Sequence, residues 1–174
     1  ILSMANKADS GWRDFIDAFL HLGALKRAFW IVLIAYVIES MAYFGILILM
    51  TTYLTADLKI PDAYAGMFVS LFTMGVTLFT IGLGSYLERL GVRRAMLIGF
   101  LLCVIGRALW SAAPLFSGHF VIVVIVIALI INASGRAITT PMSYSGAKQY
   151  TDERTNSMAY GLNYAMMNLG IVGI

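Results

Sequence analysis

Residues 28–54 read AFWIVLIAYVIESMAYFGILILMTTYL, a run whose only formal charge is Glu39. A helix that crosses the hydrocarbon core of a bilayer needs roughly 20 predominantly apolar residues, and this run meets that length. Four more stretches of the same kind follow, at 63–87, 95–113, 119–146 and from 157 to the last residue, 174. The links are short: Thr55 to Asp62 with a helix-stopping Pro61, Glu88 to Arg94, Pro114 to Gly118, and Ala147 to Asn156. Short links between long helices make sequence neighbours antiparallel. The expected fold is an all-α membrane protein, with about five transmembrane helices over residues 28–174.

Composition points the same way. Of the 174 residues 60% are hydrophobic and 12% charged, with a mean hydropathy of +0.86. Soluble domains carry about a quarter charged residues, and a core of this size has no room for so much apolar surface. Lipid is therefore the expected solvent and first partner. Cys103 is the only cysteine, which excludes an internal disulfide and a cysteine metal cluster; among Leu101, Leu102 and Val104 its expected role is packing. The small net charge of +3 is carried by basic residues in the links, a pattern of membrane topology rather than nucleic-acid binding. Ile1 and Ile174 both fall where no natural terminus is expected, so the chain reads as part of a longer protein.

The positive-inside rule sets the orientation. Lys7, Arg13, Lys26 and Arg27 precede the first span, Arg89, Arg93 and Arg94 fill the second link, and Lys148 and Arg154 the fourth. Alternating topology puts all of them on one side and leaves only Lys59 on the other, diluted by Asp57 and Asp62. The expectation is a multi-pass protein of the cell (inner) membrane with a cytoplasmic N-terminus. Residues 1–27 form a separate cytoplasmic segment: Trp12, Phe15, Ile16, Phe19 and Leu20 recur at the spacing of one helical face, with Arg13, Asp14 and Asp17 between them. Such a helix lies flat at the interface; the alternative is a docking helix for a partner subunit.

Three charges fall inside spans, where they are costly and functional by default: Glu39, Arg107 and Arg136. At about 1.5 Å rise per residue all three come out roughly 16–18 Å from the cytoplasmic side, near mid-membrane. Glu39 and Arg136 are expected to satisfy each other at a substrate or coupling site. Polar stripes accompany them: Tyr36, Glu39 and Tyr43 on span one; Asn132, Arg136, Thr139, Thr140 and Ser143 on span four; Tyr160, Asn163, Tyr164 and Asn168 on span five. A shared water-filled cavity would explain three such stripes, although interhelical hydrogen bonds alone would suffice.

The stretch Gly84-Ser85-Tyr86-Leu87-Glu88-Arg89-Leu90-Gly91-Val92-Arg93-Arg94 resembles the signature between the second and third helices of the major facilitator superfamily. That signature runs Gly, three residues, an acid, a base, any residue, Gly, then basic residues. Glu88 stands where the family usually has Asp, and Val92 where a base is common. Physically, Gly84 suits close helix approach and Gly91 a tight turn. The resemblance implies the N-terminal, six-helix half of a transporter. It also implies a conformational lock made by Gly84, Glu88, Arg89, Gly91 and Arg93, clamping this half to a C-terminal half. It further implies a peripheral third helix, and so a structural role for Arg107.

Within the superfamily, Glu39-Ser40-Met41-Ala42-Tyr43-Phe44-Gly45, Tyr164 to Gly170 and Gly135 to Pro141 partly resemble the proton-dependent oligopeptide transporter family. Tyr36 replaces that family's first Glu, Ser40 its Arg, and Thr140 its fourth-helix Lys. Peptide specificity therefore does not carry over.

The function expected is proton-coupled symport of a small solute by alternating access. Glu39 is the proton carrier, and Tyr36, Tyr43, Asn132, Arg136, Tyr160, Tyr164 and Asn168 line the substrate cavity. The alternative is a non-transporting, transporter-like subunit or scaffold of a larger complex. No cofactor or metal is expected beyond the coupling proton. An enzyme is not expected either: His21 and His119 fall at opposite membrane faces, no Ser-His-acid set can be assembled, and there is no nucleotide loop.

Overall fold

The computed structural model describes residues 27–151 and 153–172. The amphipathic segment expected over residues 1–27 lies, apart from Arg27, outside the described residues. Five long helices follow in order. They are α1 (Arg27–Thr52), α2 (Asp62–Leu90), α3 (Val92–Ala112), α4 (His119–Gln149) and α5 (Glu153–Val172). Four helical stretches, Arg27–Asp57, Asp62–Leu90, Val92–Leu115 and His119–Gln149, are long and apolar enough to cross a membrane. Among the described residues α5 is not one of them, because Asn156, Asn163 and Asn168 dilute its apolar face.

The ends of the helices follow from local chemistry. A π-helical turn at Tyr53–Asp57 closes α1. Pro61 then precedes Asp62, whose carboxylate sits in the first turn of α2, where the helix dipole favours it. The link expected from Glu88 to Arg94 is shorter than its sequence suggests. Glu88, Arg89 and Leu90 complete α2, Gly91 alone breaks the helix at φ +75°, and α3 begins at Val92. A one-residue reversal at positive φ is affordable for glycine, which has no Cβ to clash. Gly118, at φ +64°, does the same before α4.

Helix α4 is the axis of the bundle and packs on each of the other four. Its most extensive contact is with α3, and it is made by small residues. A Cβ added to Gly135 would stand 2.6 Å from Cys103 Sγ and 2.8 Å from the Cys103 backbone nitrogen. One added to Gly106 would stand 2.8 Å from the Asn132 nitrogen, and one on Gly99 would stand 2.8 Å from Thr139 Cγ2. The two backbones thus meet along a seam, the packing that membrane helices use when burial of apolar surface no longer drives association. Close approach was expected at Gly84; among the described residues nothing lies within 4 Å of a Cβ placed there.

Larger side chains fill the rest. Met50, Phe68, Phe72, Trp110 and Ile125 form a cluster toward the Pro61 end, and Leu87, Met96, Ile138 and Met142 one toward the arginine-rich end. Phe29, Leu33, Ala147 and Ala159 join α1, α4 and α5. The outward faces are apolar, with Ile31, Ile34 and Ile38 exposed on α1 and Leu97, Leu101 and Val104 on α3, as a lipid-facing surface requires.

Candidate functional site

Glu39 lies midway along α1 and is 4% exposed. Its partner is Arg107 of α3, not Arg136. Arg107 Nη1 donates to Glu39 Oε2 and Nη2 to Oε1, each at 2.7 Å, a two-pronged pair in which both carboxylate oxygens are occupied. The expected Glu39–Arg136 pair is therefore corrected: Arg107 holds the carboxylate. The reason is geometric. The α3–α4 seam turns Arg107 toward α1, although α1 and α3 do not pack side by side. Depth alone, which is all that helix rise gives, does not distinguish one arginine from the other. Two polar atoms near this level are buried without a hydrogen-bond partner, Arg107 Nε and Asn132 Oδ1.

Arg136, also 4% exposed, is held by rings. Its guanidinium carbon sits 4.3 Å from the centroid of Tyr43 and 5.4 Å from that of Tyr36, within cation–π range. Nη1 donates to Ser40 Oγ at 3.4 Å. From Tyr36 the aromatic contacts run on to Tyr144, edge-on at 6.4 Å, and from Tyr144 to Tyr160, stacked at 5.9 Å and 17°. The Tyr36 hydroxyl donates to Met167 Sδ at 3.6 Å. Asn163 Nδ2 donates to Ser143 Oγ at 3.1 Å, tying α5 to α4.

Of the residues expected to line one cavity, Tyr36, Tyr43 and Arg136 come into direct contact, and Tyr160 joins them through Tyr144. Tyr164 is 58% exposed on α5. Asn168 turns back to its own helix, donating to the Tyr164 carbonyl at 3.1 Å. Asn132 lies in the seam beside Gly106, meeting it through its backbone nitrogen and Cβ. The three stripes meet at the rings around Arg136 and at the Ser143–Asn163 hydrogen bond. Tyr144 escaped the sequence reading, yet it lies eight positions after Arg136 and so on the same face of α4.

The residues expected to form the lock sit together where α2 meets α3. Glu88, Arg89 and Arg93 are exposed there, and none is in an ion pair among the described side chains. Gly91 makes the turn expected of it. Two grooves flank the Glu39–Arg107 pair between α1 and α3. One, of about 530 Å³, is bordered by Val32, Ala35, Met96 and Phe100 with Arg93 at its edge; the other, of about 480 Å³, by Gly45, Leu49, Tyr53 and Trp110.

No curated protein and no solved structure matches the chain. The sequence model of the Major Facilitator Superfamily matches residues 32–173, from the start of α1 to the end of α5. With apolar helices joined by short links, an arginine-flanked turn between the second and third, and buried charges midway along the bundle, the chain belongs to the major facilitator superfamily, a family of membrane transporters.

Proposed function

We propose that this chain takes part in proton-coupled movement of a small solute by alternating access, with Glu39 as the group that takes up and releases the proton. The observation that carries the reading is the buried carboxylate itself. Glu39 is held midway along a spanning helix by the two-pronged Arg107 pair, at the level where secondary transporters place coupling sites. Protonation removes the charge that holds Arg107, so the link between α1 and α3 loosens in the protonated state and re-forms in the ionised one. Such a carboxyl joins proton occupancy to helix arrangement, which is what coupling requires.

The arginine-rich end is read as cytoplasmic on the positive-inside rule. There Glu88, Arg89 and Arg93 are free to engage a second half of the transporter. The test is made on the protein in liposomes. Glu39→Gln is expected to abolish uptake driven by a pH gradient while leaving counterflow exchange, which needs no net proton movement. Gradient-driven uptake at the wild-type rate in Glu39→Gln eliminates the proposal.

A further inference from the structure

The middle of the bundle carries an uncancelled charge. Glu39 and Arg107 neutralise each other, with both carboxylate oxygens engaged at 2.7 Å. Arg136 is as buried as Glu39, and no carboxylate pairs with it among the described side chains. Its one hydrogen bond among the described residues, to Ser40 Oγ at 3.4 Å, is long for a charged donor, whose bonds usually close to about 2.7–2.9 Å. The rings of Tyr43 and Tyr36 offset part of the cost of desolvating the guanidinium, but they supply no counter-charge. A buried cation in this state is completed by an anion from outside the chain.

We propose that Arg136 anchors a carboxylate on the transported solute, with Tyr36 and Tyr43 as the walls of its socket. This rests on the transporter reading above and names its substrate class: small organic monoanions.

Three observations shape the class. First, a guanidinium presents five N–H donors in a planar fork matched to a carboxylate, and here one of them is engaged, weakly, by Ser40. Second, a single excess positive charge balances a monoanion. A phosphate dianion would call for more, and the other mid-membrane arginine is already spent on Glu39. Third, the socket is flanked by flat faces: Tyr43 and Tyr36 on the guanidinium, then the stacked Tyr144 and Tyr160 beyond. Planar or apolar bodies attached to the carboxylate fit against them. Tyr43, Thr140, Tyr144 and Tyr160 around the socket are all partly exposed.

The experiment uses the protein in nanodiscs, at constant ionic strength, with benzoate and acetate as probes and their neutral isosteres benzamide and acetamide as controls. A carboxylate is expected to raise the melting temperature saturably where its amide does not. Arg136→Gln is expected to weaken that binding at least tenfold and Arg136→Lys to restore part of it. Tyr43→Leu, which keeps the cation and removes a wall, is expected to weaken benzoate more than acetate, and carries the test if Arg136→Gln does not melt cooperatively. Equal carboxylate binding in Arg136→Gln, or no response to either carboxylate in the wild type, overturns the proposal. Liposome uptake separates the two readings. Benzoate that binds at Arg136 but is never carried leaves the anchor standing and removes transport. Uptake of neutral solutes that is indifferent to Arg136→Gln leaves transport and removes the anchor.

Discussion

The two sides of α4 are held by different means. Toward α3 it meets its neighbour backbone to backbone, through Gly99, Gly106 and Gly135, with Cys103 filling what space is left. Toward α1 and α5 it meets them through long polar and aromatic side chains: Arg136 on Tyr36 and Tyr43, Tyr144 on Tyr160, Ser143 with Asn163. A glycine seam has one good arrangement, because a shift of a few tenths of an ångström puts backbone into backbone. Tyrosines and arginines have rotamers and tolerate several. The comparison teaches that rigidity and adaptability have been assigned to opposite faces of a single helix.

The largest effect is expected where the adaptable side depends on charge. Arg107→Gln strands the Glu39 carboxylate, and breaking a buried pair in this way costs about 3–5 kcal/mol. Because Arg107 keeps 22% of its side chain exposed, the lower end is expected. Denaturation in detergent should show Glu39→Gln/Arg107→Gln recovering most of the loss. A double variant no more stable than Arg107→Gln would mean that the pair does not act as a unit.

The seam comes next. Gly135→Ala forces a Cβ against the Cys103 backbone, and overpacking of this kind costs about 1–3 kcal/mol. Gly84→Ala, with nothing within 4 Å, is expected to be neutral or to stabilise by about 0.5–1 kcal/mol, the helix preference of alanine over glycine. Equal melting temperatures for the two variants would mean that the α3–α4 seam is not close-packed. Smaller again is Ser143→Ala, which removes the acceptor for Asn163 Nδ2; about 1 kcal/mol is expected, read as the same melting shift. Glu88→Gln is expected to leave the melting temperature unchanged, since Glu88 is exposed and outside any ion pair among the described side chains. It is expected to slow uptake in liposomes if the turn engages a second half.

Much of this architecture is legible in the amino-acid order. Apolar runs, Pro61, Gly91 and Gly118 place the helices to within a few residues, because span length and helix-breaking chemistry are local properties. The polar residues that matter are visible for the same reason: Glu39, Arg107 and Arg136 are anomalous in apolar runs wherever the helices pack. What is not local is rotation. Which arginine faces Glu39 depends on how α3 is turned against α4. That is fixed by Gly99 and Gly106 on one helix and Ala128 and Gly135 on the other, each pair seven residues apart. The heptad spacing of small residues was the available signal, and it outranks the conspicuous Gly84 of the loop motif. The polar stripe of α4 likewise reads as one surface in projection, but Asn132 lies in the seam with α3 and Arg136 against the rings of α1.

A consequence follows from the placement of the two arginines. Arg107 rides on α3 and Arg136 on α4, and the glycine seam makes α3 and α4 a single solid body. The groups that answer them, Glu39 for one and Tyr36, Ser40 and Tyr43 for the other, all ride on α1. The two sites therefore share one mechanical degree of freedom. Any slide or twist of α1 against the α3–α4 body alters both sets of contacts in the same stroke.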